Sequence, residues 1–362
     1  MITRFSAKNY GCLKDVTCAL TPLHAFIGPN DSGKSTLLRG LLDVAETAAD
    51  SPSRGGLGGR YSPTTQQLSF DLSFSGKVPE LVRYAVGVPY TTLMTPTIEN
   101  SRVLSQPGIV SLGALVPALP SWGLLNPAER IPDDGFCGAA IVRFDADRLK
   151  SSSSLIRDTQ ADTFIVKRGH GLPGLLDLIL NRGDDSFRSL VDRVRQLFPA
   201  VKTVRLGNVS ESEKEVRIEL LDGTIVPAAY MSEGLLYYLA YQALSFVKSV
   251  SALLIEEPET GLHPSRIAEI VRVLRSIVAG GVQVVMATHS PLVINELQPE
   301  EVSIVTRAAD VGTTVTRIAD TYDFASRAKV YALGELWLSY ADADTNEAPL
   351  LKGGPGPGVV RP

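Results

Sequence analysis

Three things are scarce in this sequence, and each scarcity removes a class of answer. The 362 residues hold only three cysteines, Cys12, Cys18 and Cys137, with no C-x-x-C spacing. Such an odd set signals neither a disulfide framework nor a zinc site, and it fits a reducing cytoplasm. Long apolar runs are missing too: nothing approaches the roughly 18 uninterrupted apolar residues of a membrane span. The opening MITRFSAKNYGCLKDV carries charges where a signal peptide needs an apolar stretch. A cytoplasmic protein without membrane insertion is therefore expected. Net charge is also small, at −4, so no global field draws the chain to nucleic acid. Between Ile141 and Arg205, however, 12 Lys and Arg stand against 8 Asp and Glu. That stretch is the candidate surface for a polyanion, although a solvated helical face explains it equally well.

What is present describes a folded protein of ordinary make-up, 44% hydrophobic and 20% charged. A chain of this length accommodates one large α/β domain or two smaller ones. Residues 2–27 alternate apolar and polar positions and end in an apolar strand at His24–Ile27, followed by a glycine-bearing turn and a helix over Thr36–Ala48. Residues 49–66 are rich in Gly, Ser and Pro and read as a surface loop. Leu68–Phe74 alternates as an antiparallel strand, and Val86–Gly138 is punctuated by Pro and Gly and reads as largely irregular. Two helices are expected within Gly174–Phe198, broken near Asn181–Asp184. Strands follow at Lys202–Leu206 and Glu215–Leu221, the second ending in an Asp222-Gly223 turn. The last third predicts a helix over Leu235–Lys248, a strand at Ala252–Ile255, a helix at Ser265–Val278, a strand at Val282–Ala287 and two strands within Val302–Ile318. The continuous apolar runs at Leu253–Ile255 and Val282–Met286 suit strands buried on both faces, which means a parallel sheet covered by helices.

Four segments carry chemistry. Gly28-Pro29-Asn30-Asp31-Ser32-Gly33-Lys34-Ser35 fits the phosphate-loop pattern G-x-x-x-x-G-K-[ST] without a mismatch, between a strand and a helix. Backbone amides there can surround phosphates. Lys34 would reach the β and γ phosphates, Ser35 would ligate magnesium, and Thr36 could donate to the α-phosphate. The second segment, Ser251–Pro258, is an apolar strand that delivers adjacent carboxylates, Glu256 and Glu257, to the carboxyl edge of the sheet. Glu256 is placed for the magnesium shell and Glu257 for the attacking water. Third, Met231-Ser232-Glu233-Gly234 precedes an apolar helix, with Ser232 as its expected N-cap and Gly234 lying 256 − 234 = 22 residues before Glu256. Fourth, Ala287–Pro291 brings His289 to a strand end, 289 − 257 = 32 residues after Glu257, where an imidazole could meet a γ-phosphate or the attacking water.

In this order the four segments resemble the Walker A, signature, Walker B and switch-histidine elements of ABC-type ATPases. The strings IEEPETGLHP and ATHSP, with LGELWLS further on, resemble the RecF-like and OLD-like AAA-type ATPases of bacteria, relatives of the SMC proteins. The resemblance implies ATP and Mg2+ as ligands and a homodimer that forms around ATP, in which Ser232 and Gly234 of one subunit close over the phosphates held by the other. It also places Thr260–His263 as the D-loop at that interface.

The implied fold class is α/β, a P-loop NTPase of ABC type. It would have a mainly parallel sheet, an antiparallel β subdomain and an inserted α/β lobe. One ATPase domain would span residues 1–347, its core at 1–48 and 206–325 and its lobe at 68–205, with a flexible tail at 348–362. Departures are visible: Glu256 stands where transporters usually have Asp, and MSEGL departs from the transporter signature LSGGQ. Gln66 or Gln67 could supply the family's magnesium-contacting glutamine, although an ordinary loop explains both. The 362 − 298 = 64 residues after Gln298 are too few for the TOPRIM nuclease domain of OLD-like proteins, and the acidic Asp342, Asp344 and Glu347 fit a solvated tail. The expected function is an ATP-hydrolysing switch driving a separate effector in DNA repair, genome maintenance or phage defence. Arg143, Arg148, Lys150, Lys167 and Arg168 are the first choices for DNA contact. The alternative is the ATP-binding subunit of an ABC transporter; a small-molecule kinase would leave Ser232, Gly234 and His289 without a task.

Overall fold

A computed structural model describes residues 1–48, 68–74, 81–87, 92–93, 97–99, 138–154, 169, 171–247, 250–308, 311–321 and 324–341. Two compact units divide the chain, one of residues 1–139 and 283–362 and one of residues 140–282.

The first unit opens with β1 (Ile2–Tyr10) and β2 (Leu13–Ala19), an antiparallel pair with Phe5 opposite Cys18. Its buried positions are Ile2, Phe5, Ala7 and Tyr10 on β1 and Leu13, Val16 and Cys18 on β2; strict alternation holds only over Phe5–Ala7 and Val16–Cys18, and the register of β1 against its other neighbour shifts between Ile2 and Arg4. Burial pushes the Cys18 thiol up to about 12, which makes it an inert core residue. Next, β3 (Leu23–Ile27) is buried at every position and runs into the glycine turn and α1 (Lys34–Ala48). That helix starts two residues earlier than the sequence suggests, at Lys34, and buries Leu37, Leu38, Leu41, Leu42 and Ala45. Strand β4 (Leu68–Phe74) pairs antiparallel with β1, and β5 (Leu81–Gly87) extends that sheet, followed by the short β6 (Thr92–Leu93) and β7 (Thr97–Glu99).

In the second unit, β8 (Ala139–Val142) leads to the short α2 (Ala146–Lys150), capped by Asp145, whose carboxylate accepts from the Arg148 amide at 3.1 Å. After β9 (Ser153–Ser154) come α3 (Leu172–Asn181) and α4 (Ser186–Leu197), broken within the span the sequence indicates. Strands β10 (Val201–Asn208) and β11 (Glu213–Leu220) form an antiparallel hairpin. A turn at Asp222-Gly223, with Gly223 at φ 87°, then admits β12 (Ile225–Pro227). Helix α5 (Glu233–Leu244) buries every residue from Leu235 to Leu244. Strand β13 (Ala252–Glu256) is likewise fully buried. The helix expected from Ser265 begins as a 3-10 turn at Pro264–Arg266 and becomes α6 (Ile267–Ala279) only at Ile267, because Pro264 occupies the first turn.

The chain returns to the first unit through β14 (Gln283–Thr288), parallel to β3, and α7 (Pro291–Asn295). Then β15 (Val302–Ala308) pairs parallel with β3 on its other side and antiparallel with β16 (Gly312–Arg317). The fold class is thus α/β, with parallel strands at the centre and antiparallel strands beside them. Two short helices, α8 (Phe324–Arg327) and α9 (Leu333–Ala341), complete the description. Among the described residues, no helix is long and apolar enough to cross a membrane.

Candidate active site

The loop with the phosphate-loop pattern lies in the first unit. Strand β3 delivers Gly28 at its carboxyl end, and the loop turns through Asp31 (φ 65°) and Gly33 (φ 108°) into α1. Both glycines are required by close approach. A Cβ on Gly28 would lie 2.1 Å from the Val305 carbonyl oxygen, and one on Gly33 would lie 2.5 Å from Thr313 Oγ1. Thr313 fixes the loop further, donating through its hydroxyl to the Ser32 carbonyl at 2.9 Å, and Arg307 stands 3.3 Å from the Asp31 carboxylate. The Lys34 ammonium donates to the carbonyls of Gly28 and Pro29, both at 2.7 Å, so it is held over the loop. Ser32 Oγ is buried without a hydrogen-bond partner, and Pro29, Asn30, Asp31 and Ser35 are exposed. In the parallel register Thr288 sits opposite Ile27. His289 and Gly28 therefore leave adjacent strands at the same edge, and His289 is exposed there.

The adjacent acids and the tip of α5 lie in the second unit. Glu256 ends β13 with little exposure, and its Oε1 has no hydrogen-bond partner. Glu257 follows at φ 50°, a left-handed conformation that is strained for a residue of this size. Its Oε2 accepts from Arg143 at 2.8 Å and from the Thr260 hydroxyl at 3.4 Å. Arg143 also stands 3.8 Å from Glu256 Oε2. The following turn is closed by the Thr260 amide donating to the Glu257 carbonyl at 3.1 Å. It packs Gly261 (φ 72°) against α5 so closely that a Cβ would meet Tyr237 at 2.3 Å. Ser232 occupies the N-cap of α5, as its position suggests, but its side chain makes no capping bond and it is exposed. A Cβ built on Gly234 would meet nothing within 4 Å. Beside them, Glu233 pairs with Lys150 at 3.6 Å.

Two family models match parts of this chain. Residues 1–54 match the family described as "AAA ATPase domain", and residues 123–295 match that described as "AAA domain, putative AbiEii toxin, Type IV TA system". The chain is an ATPase of the AAA type. Within that class it is similar to the OLD nuclease of Thermus scotoductus, at 46% identity over 41 residues, 11% of this chain and 8% of that protein. The match thus spans less than a tenth of the relative's length. The fold is that of SMC heads. One such head, solved bound to the C-winged helix domain of ScpA, gives a TM-score of 0.54 at 15% identity, covering 87% of this chain and 96% of that one. The SMC head domain from Thermotoga maritima gives 0.50 at 13% identity, covering 87% and 98%.

Within this AAA-type ATPase the structure gathers Gly28 through Thr36 and the end of β14 into one edge, and Glu256 with Glu257 into another local group. Arg143 and Lys150, first choices for DNA contact, are instead engaged with carboxylates, Arg143 with Glu256 and Glu257 and Lys150 with Glu233. Arg148 remains exposed. Gln66, Gln67, Lys167, Arg168, Cys137, Asp342, Asp344 and Glu347 lie outside the described residues. Thr313 and Arg307, which brace the phosphate loop, carry no sequence signal because they are ordinary strand residues nearly three hundred positions away. Taken separately, each unit offers a hard oxygen donor of the kind magnesium takes: an exposed hydroxyl at Ser35 in the first, and at Glu256 in the second a buried carboxylate oxygen without a partner.

Proposed function

We propose that this ATPase is a switch that dimerises around Mg2+-ATP and transmits the state of the dimer to a partner. Its single supporting observation is the tip of α5: a hydroxyl at an exposed helix N-terminus, free of capping bonds, next to a glycine with open space over it. A helix N-terminus with unsatisfied amides suits an anion supplied from outside. In this reading the amides of Gly28–Thr36 bind the phosphates, and Lys34 leaves its loop carbonyls for the β and γ oxygens. Ser35 and Glu256 hold magnesium, which would neutralise the charge developing between the β and γ phosphates. Glu257 takes a proton from the attacking water, and His289 donates to the γ-phosphate or orients that water. Ser232 and Gly234 complete the pocket of the opposite protomer, as Thr260–His263 lines the contact.

The partner belongs to the same proposal. The OLD nuclease similarity and the SMC head solved with a ScpA domain support a role in DNA repair, genome maintenance or defence, exerted through a separate protein. The 141–205 stretch would supply any DNA contact, now centred on Arg148. A mixing experiment tests the dimer. Lys34→Ala and Ser232→Arg should each abolish hydrolysis, and an equimolar mixture should regain activity, because a heterodimer restores one cradle facing one intact helix tip. A mixture as inactive as its components contradicts the proposal.

A further inference from the structure

Arg143, a first choice for DNA contact from the sequence, faces two carboxylates in the structure. Strand β8 ends at the fully buried Val142, and Phe144 is wedged edge-on against Tyr241 and Tyr237, with ring centroids at 4.9 and 6.5 Å. Asp145 then caps α2. The backbone on both sides of Arg143 is therefore anchored, and the side chain leaves the strand end in a fixed direction. There it meets Glu257, whose left-handed backbone is pinned between buried Glu256 and buried Pro258. The guanidinium spans both carboxylates, at 2.8 Å from Glu257 Oε2 and 3.8 Å from Glu256 Oε2. The Thr260 hydroxyl shares that same Oε2 of Glu257.

An ion pair whose arginine is 57% exposed adds little to stability, because solvent screens it. A strained backbone and a two-carboxylate clamp need a different reason, and strain of this kind collects where function requires it. We propose that Arg143 is a positioning residue for ATP hydrolysis: it fixes Glu257 through Oε2, leaving Oε1 to meet the attacking water, and offsets the repulsion between adjacent carboxylates. The proposal rests on the reading of Glu257 as the base.

The test compares Arg143→Gln, Arg143→Lys, Glu257→Gln and the double substitution Arg143→Gln/Glu257→Gln. Measurements are steady-state hydrolysis, binding of a fluorescent ATP analogue and thermal unfolding. R143Q should lower kcat by about 10- to 100-fold, the usual cost of losing an orienting partner, with nucleotide affinity and melting temperature unchanged. R143K, which keeps the charge but not the fork, should recover part of the rate. The double variant should be no slower than E257Q alone, since the arginine acts through the glutamate. Wild-type or faster turnover in R143Q while E257Q is inactive overturns this proposal and leaves the base intact. Full activity in E257Q removes the base and the proposal with it. Unfolding of R143Q, loss of nucleotide binding, or a further rate loss in the double variant would each show that the arginine serves structure or binding instead.

Discussion

The phosphate cradle of the first unit and the helix tip of the second both depend on glycine and hydroxyl residues, but they use them in opposite ways. Around Gly28 and Gly33 the fold is closed: Val305, Thr313 and Cys12 crowd the backbone, and Lys34 is tied to the loop it belongs to. Around Ser232 and Gly234 it is open, with an uncapped hydroxyl and empty space where a side chain would go. Glycine in a crowded turn reports on the fold itself, whereas glycine on an open tip reports on something the fold meets. Damage to the first should therefore appear as lost structure or lost binding, and damage to the second as lost encounter.

The largest effect is expected at the cradle's charge. Lys34→Ala should lower ATP turnover by about 100- to 1000-fold, the scale of removing one donor from a site of developing negative charge, while thermal unfolding stays near wild type. An enzyme assay beside a melting curve checks both parts. Gly33→Ala should cost about 1–3 kcal/mol in folding stability, since it places a Cβ in a left-handed position against Thr313. Gly234→Asp should leave urea denaturation unchanged and still abolish ATP-dependent association, because a carboxylate then faces the incoming phosphate. If both substitutions affected stability alike, the contrast between closed and open glycine would be lost.

A smaller, pH-dependent effect belongs to the first unit. His24 lies fully buried on β3, between Thr21 Oγ1 and Ser303 Oγ, each 3.1 Å from a ring nitrogen. Burial, with the nearby Arg317, pushes its pKa down to about 3. Unfolded histidine titrates near ~6.5, so between these values the unfolded chain binds the extra proton. Stability is then complete above the unfolded value and falls as pH drops, by up to about 1.4 kcal/mol per pH unit. Denaturation at pH 7.5 and pH 5 should show this slope in wild type and a flatter one in His24→Gln.

The legible parts of the molecule were those whose chemistry is local. The phosphate loop is one continuous string, and β13 and β14 announce themselves as apolar runs ending in acids or histidine, so both elements and edges were readable. The helix at Ser232 is legible because the N-cap position is adjacent in sequence to the apolar face it starts. The partner of Arg143 is illegible for the opposite reason: its carboxylate lies 114 residues along the chain, and only the fold brings them together. The left-handed Glu257 also left no trace, since glutamate does not advertise φ 50° as glycine would. Thr313 reaches Ser32 across 281 residues, beyond any spacing rule.

The oligomeric state of Glu257→Gln with and without Mg2+-ATP tests the central claim most directly, read by sedimentation or light scattering. A base-deficient protein that still clasps nucleotide should be monomeric alone and a lasting dimer with ATP, and adding Ser232→Arg should return it to monomer. A protein that stays monomeric at saturating ATP, or a dimer indifferent to nucleotide and to Ser232, would contradict the account.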